Sequence, residues 1–188
     1  MTIRRSIAAS NVASTVFSLS GSSKITVNAT EIVGGTFLNS SGTANSQFVS
    51  HVKRVNTNGA GGGILITSID TAAFYINEYT HAGVGLVCSW TQNTQSENIS
   101  FVDTFWKSTN NASHITLTTT ETSLNTKKLR LLGTHTMYGI TNSTVCISST
   151  IDPTFIFIQQ VYAATIANYA ITFKVGAFTV DSQINLYN

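Results

Sequence analysis

From VASTVFSL at 12–19 onward, the chain is a succession of short segments separated by Ser, Asn and Gly. Each segment alternates apolar and polar residues or is rich in β-branched ones. A period of two places alternate side chains on opposite faces of a pleated strand. The pattern predicts strands near 12–19, 23–28, 31–38, 47–55, 63–69, 73–79 and 83–90. In the second half it predicts them near 99–107, 113–119, 127–132, 136–140, 144–149, 154–162, 169–175 and 177–186. A helix competes at one place, 159–168, where Ala and Gln gather. Short strands at close spacing with polar turns between them are the pattern of a sandwich or barrel. The expected fold is therefore all-β, an antiparallel β-sandwich of jelly-roll type.

Composition sharpens this expectation. The 188 residues include 22 Ser, 29 Thr and 16 Asn, and only 10% are charged. Thr suits a half-buried pleated surface, and Ser and Asn suit turns. A hydrophobic content of 42% is enough for a core and argues against disorder. The net charge is +2, and the basic residues form no run longer than a pair (Arg4-Arg5, Lys53-Arg54, Lys127-Lys128). No basic arm is present to neutralise a nucleic acid. No apolar run is long enough for a helical membrane span. Arg4-Arg5 is followed by no apolar stretch of signal-peptide length, so an export signal is not expected.

An internal repeat suggests how the strands are organised. Residues 6–31 set over 96–121 share 9 of 26 positions, centred on SKITVNATE against SHITLTTTE. At an offset of 82, LITSIDTAAFYINEYTHA (65–82) lies over ISSTIDPTFIFIQQVYAA (147–164). These matches predict two tandem β repeats of about 90 residues, residues 1–95 and 96–188. The repeats are either two units or the halves of one pseudo-symmetric domain, joined near the polar 91–97.

Candidate chemistry is sparse. Gly59, Gly61, Gly62 and Gly63 precede ILITSID, where a phosphate loop would need Gly-Lys-Ser/Thr and a dinucleotide fingerprint would need a helix. The run is read as a connection between strands, and GVGLV at 83–87 as a bulge or close packing. His51, His81, His114, His135, Cys88 and Cys146 show no chelating spacing, so no metal site is expected. The two cysteines read as buried small hydrophobes. No Gly-x-Ser-x-Gly elbow is present, and the recurring acid pairs Glu31/Glu121 and Asp70/Asp152 suit repeated structural roles. No catalytic residue and no cofactor are expected. FYINEY at 74–79 places Tyr75 and Tyr79 on one strand face, as a candidate surface for another subunit or a glycan.

In overall character, across its whole length and without a shared motif, the chain resembles phage and large-virus virion structural proteins. The resemblance implies a non-enzymatic virion component, whether minor capsid, decoration or cement, neck or fibre-associated. Such a part is assembled in the host cytoplasm and contacts other capsid or tail proteins. A homo-oligomer is expected, with trimer and pentamer both open, because sheet edges need cover. The alternative is a carbohydrate-binding or adhesive β module on a fibre or cell surface.

Overall fold

The computed structural model describes residues 2–4, 7–8, 14–43, 45–90, 97–119, 127–139, 147–149, 156–164 and 171–172. In chain order its strands are β1 (Thr2–Arg4), β2 (Ile7–Ala8), β3 (Thr15–Gly21), β4 (Lys24–Gly34), β5 (Thr36–Gly42), β6 (Gln47–Thr57), β7 (Ile64–Ser68) and β8 (Thr71–His81). They continue as β9 (Leu86–Trp90), β10 (Glu97–Val102), β11 (Phe105–Ser108), β12 (Ile115–Thr119), β13 (Lys127–Tyr138), β14 (Ile147–Ser149), β15 (Ile156–Ala164) and β16 (Ile171–Thr172).

From β3 on, strands are dealt alternately to two sheets, with β10 and β11 falling consecutively to the same one. β3, β5, β7, β9, β12, β14 and β16 build a seven-stranded wall. The rest build a longer-stranded wall of nine. Every pairing described is parallel. The chain is a parallel β-solenoid of about four turns.

The all-β expectation holds, and the antiparallel sandwich or jelly roll is overturned. Alternation with polar turns specifies strands but not their relative direction. Parallel neighbours need a crossover of a dozen or more residues. Here a strand of the opposite wall supplies it, in a chain poor in helix formers. One rung lies 21 residues from the next at Thr15↔Thr36 and 32 at Ile115↔Ile147, so the structural repeat is a coil, not a half-chain. The ladders run unbroken across the expected 95/96 boundary, β8 pairing with β10 and β9 with β12. The helix anticipated at 159–168 is strand β15 as far as Ala164. The strand read at 177–186 lies outside the described residues.

In-register stacking sorts the interior into columns. On the short wall, Phe17, Leu38, Ile64, Leu86, Ile115 and Ile147 lie one above the next, all buried. On the long wall, Val27, Ser50, Phe74, Phe101 and Leu131 form one column, and Ile32, Val55, Tyr79, Trp106 and Met137 another. Rings thread the interior continuously. Phe17, Phe37, Phe48 and Phe74 meet successively at 5.7, 5.6 and 5.6 Å, and Phe74 stacks on Phe101 at 4.4 Å.

The long wall bends at a corner. Thr30-Glu31, Lys53-Arg54 and Asn77-Glu78 each put two consecutive residues at the surface. The inward parity therefore switches, from Val27 and Ala29 to Ile32 and Gly34, and from Phe74 and Ile76 to Tyr79 and His81. At the next rung the corner is the break between β10 and β11, where Asp103 has φ 46°. At the rung after that it is a bulge between Leu131 and Thr134, with Gly133 at φ 76°. The Asp103 carboxylate accepts the Thr134 N–H at 2.8 Å and so ties the two rungs together at the bend.

Phe74 touches Phe37, Phe48 and Phe101, so its removal opens the ring column at mid-height. Phe74→Ala should cost about 3–5 kcal/mol in urea unfolding. The adjacent outward Tyr75→Ala should cost about 1 kcal/mol or less. Equal losses at the two positions would contradict the assigned facing of β8.

Candidate functional site

The corner decides the fate of the two tyrosines. A spacing of four puts Tyr75 and Tyr79 on one face of an uninterrupted strand, but the parity switch at Asn77-Glu78 separates them. Tyr75 is 41% exposed and stacks in register on His51, with centroids 4.4 Å apart and planes 6° from parallel. Tyr79 is fully buried, and its hydroxyl donates to the Gly85 carbonyl at 2.6 Å. The expected pair does not form, and one face of the Tyr75 ring is already covered by the His51 imidazole.

Tyr79 belongs instead to an interior polar cluster that sequence spacing did not bring together. His81 ends β8, Trp106 lies in β11, His114 precedes β12 and His135 sits past the bulge of β13. All four are fully buried. His81 and His114 are 33 residues apart, and Trp106 and His135 are 29 apart. Both separations are close to one coil, so the side chains meet across neighbouring rungs. His81 Nε2 lies 2.7 Å from His114 Nδ1, and Trp106 Nε1 donates to His135 Nδ1 at 3.2 Å.

The partners fix the tautomers. His81 Nδ1 lies 2.6 Å from the Gly83 carbonyl, which can only accept. His81 therefore carries its proton on Nδ1 and accepts through Nε2. His114 must then donate from Nδ1, which leaves its Nε2 a bare acceptor with no hydrogen-bond partner. His135 accepts from Trp106 and donates from Nε2 to the Leu132 carbonyl at 3.0 Å. Burial pushes the imidazoles toward neutrality, His81 and His135 each down to about 4. His114 is lowered further, first by burial and then by the neighbouring His81.

The glycines are explained by this cluster. Gly59–Gly63 join β6 to β7, exposed at Ala60-Gly61 and buried at Gly62-Gly63, and Gly83–Gly85 turn the chain from β8 to β9. A Cβ at Gly63 would collide with the Tyr79 and Thr57 hydroxyls, and one at Gly83 with the Gly59 and Ala60 carbonyls. One at Gly85 would meet the His114 carbonyl and the His81 ring. The run lets backbone close over the cluster and leads into a strand, without the geometry of a phosphate loop. GVGLV packs closely as expected, although Gly83 and Gly85 precede β9 instead of lying in it.

The remaining candidates are dispersed. His51 is on the surface under Tyr75. Cys88 is buried, and burial followed by the charge of Glu97 pushes its thiol well up. It is therefore protonated and a poor nucleophile. Glu31 faces Arg54 at 3.9 Å at the exposed corner of the long wall, a pair of little energetic weight. The Asp70 amide donates to Ser46 Oγ at 3.0 Å in a turn. Among the described residues no three His, Cys, Asp or Glu side chains converge as a metal-binding group, and no helix is long and apolar enough to cross a membrane. Cys146, Glu121 and Asp152 lie outside the described residues. No family model matches the chain, and no curated protein or solved structure matches it.

Three histidines that are neutral when folded and titrate near 6.5 when unfolded make the fold acid-labile. Between about pH 6.5 and 4 the unfolded chain binds more protons, so stability is complete above pH 6.5 and is lost as pH falls through that window. The slope is about 1.4 kcal/mol per pH unit for each histidine at its steepest. Urea midpoints measured from pH 7 to 4.5 should fall steeply, and His114→Leu should flatten the slope by about one third. Gly63→Ala should destabilise by about 1–3 kcal/mol. The cost should shrink in the Tyr79→Phe background, which removes the colliding hydroxyl. Additive costs in that cycle would rule out the contact.

Proposed function

We propose that the chain is a non-enzymatic structural component of a virus particle, a solenoid part that acts through contacts with other capsid or tail proteins and with copies of itself. One observation carries the reading: among the described residues His81, His114, His135 and Cys88 are buried, and Tyr79 and these histidine rings are engaged with one another, with Trp106 or with backbone. What the molecule offers to others is the outside of its walls. A decoration, neck, minor capsid or fibre-associated role uses such a surface. Assembly in a host cytoplasm followed by exposure to the medium suits a weakly charged, hydroxyl-rich exterior.

A carbohydrate-binding module on a fibre or cell surface is the second reading. It is favoured by three exposed aromatic side chains among the described residues of the long wall, Tyr75, Phe105 and Tyr138. Tyr138 lies in register with Lys107, two residues beyond Phe105 and one rung above it. The covered face of Tyr75 weighs against it, because sugars stack on open ring faces.

Antibodies raised against the purified chain should label intact virus particles purified from the source of the sequence, seen by immunogold microscopy. Label confined to cell material and absent from particles would reject the virion reading. Glycan-array binding that is lost in Tyr138→Ala would establish the second reading in its place.

A further inference from the structure

Charge is divided unequally between the two walls. The described strands of the short wall, β3, β5, β7, β9, β12, β14 and β16, contain no Asp, Glu, Lys or Arg. All charged residues within described strands lie on the long wall, among them Lys24, Glu31, Lys53, Arg54, Glu78, Lys107, Lys128 and Arg130. Outward on the short wall run Ser18, Asn39, Leu65, Val87 and Thr116 in one column. Ser89 and Thr118 lie in register beside them, and Ser20 pairs Ser41 at the first rungs. Leu65 and Val87 sit at the centre of this column and are half-buried; Asn39 and Thr116 are their column neighbours, and Gly62 lies against both at one end. Within its described strands the surface carries no charge and no proline.

We infer that the short wall is a self-association face, and that its occupant is the short wall of a second copy packed face to face. This deepens the structural reading above and rests on it only for its biological setting. The electrostatics select the occupant. A surface that buries this wall must bring no unpaired charge into contact with it, since a buried charge without a partner is costly. The long wall of another copy would bring lysines and arginines. The short wall brings none, so pairing like with like strands no charge. Parallel sheets are ordinarily covered on both faces, and here the interior covers one.

The size is also sufficient. Seven strands, two to seven residues long, give a planar footprint of roughly 500 Å2 per copy at about 4.8 Å between strands and 3.3 Å per residue. Two copies then bury about 1,000 Å2, the lower bound for a specific interface. A pair of identical faces closes with two-fold symmetry. β9 is the fourth of the seven strands, so the axis passes near Val87, and the two copies of Val87 face each other.

The full chain should be dimeric by light scattering coupled to size exclusion at tens of micromolar. Leu65→Lys/Val87→Lys places four cations around the axis and should weaken the dimer at least 100-fold. Ser100→Lys on the long wall should leave it unchanged. Val87→Cys should cross-link between copies under mild oxidation, whereas Ser100→Cys should not. If the double lysine variant does not give the wild-type circular dichroism, Thr116→Lys and the cross-link decide. A wild-type monomer at 100 micromolar overturns the inference, as does a dimer indifferent to short-wall lysines or one broken by Ser100→Lys. A monomer that still labels virus particles removes this interface alone. A dimer that labels none removes the virion setting alone.

Discussion

Because each coil lies in parallel register on the one before it, every side chain has neighbours of the same orientation about 4.8 Å above and below. A residue is therefore chosen by its column more than by its own segment. Phe74 is accommodated because Phe101 lies above it and Ser50 leaves room below. Ser40 interrupts a column of Leu19, Ile66, Cys88 and Leu117, and is tolerated because its hydroxyl donates to the Ser68 carbonyl at 2.9 Å. The same rule acts on the backbone: Gly63, Gly83 and Gly85 stand where a neighbouring coil comes too close for a Cβ.

The interior is not uniformly apolar, and its polar members share one region. Tyr79, His81, Trp106, His114 and His135 contact one another around the second segment of the long wall, beyond the corner. Three of their hydrogen bonds run to carbonyls where the chain turns, at Gly83, Gly85 and Leu132, and the last two of these carbonyls also accept the Ile64 and Asp103 amides. A carbonyl oxygen has two lone pairs and can take a second donor at a turn, and a neutral imidazole can both donate and accept. The arrangement is paid for in the neutrality of three rings, and at His114 Nε2 in a lone pair without a hydrogen bond.

Much of the strand content was legible in the sequence because a period of two is a local signal. QFVSHVKRV reads as a strand and is one, β6, extended by two residues. Direction was not legible, because FVSHV alternates equally well in a parallel or an antiparallel ladder. The repeat was visible at the wrong scale. Coil lengths between 21 and 32 residues blur a short period, while the offset of 82 picked up strands three rungs apart. Phe74, Phe101, Leu131 and Ile158 are successive register partners, which places β15 84 residues after β8. The offset of 90 set Ile25 of the long wall over Ile115 of the short wall, two strands that never superpose. The tyrosine pair failed for a related reason: the corner at Asn77-Glu78 leaves no hydrophobic signature, since two polar residues in a row resemble any turn. The histidine cluster carried a usable signal, separations near one coil length, but that signal has meaning only once the coil is known.

Stacking also explains why so few charges appear. In a parallel ladder, like charges in one column would face each other at the rung spacing along the whole wall. Among the described strands the charged register neighbours are of opposite sign: Glu31 with Arg54, Arg54 with Glu78, and Glu97 with Lys127. Every other charged position has uncharged neighbours, as Lys24 has Gln47 and Arg130 has Ser100 and Phe157. A wall that grows by adding rungs can carry charge only where each new rung alternates the sign or omits it. Hydroxyls are exempt, because a Ser or Thr both donates and accepts and can sit above its own kind. The abundance of Thr and Ser, which first reads as a property of the surface, is equally a consequence of the repeat distance.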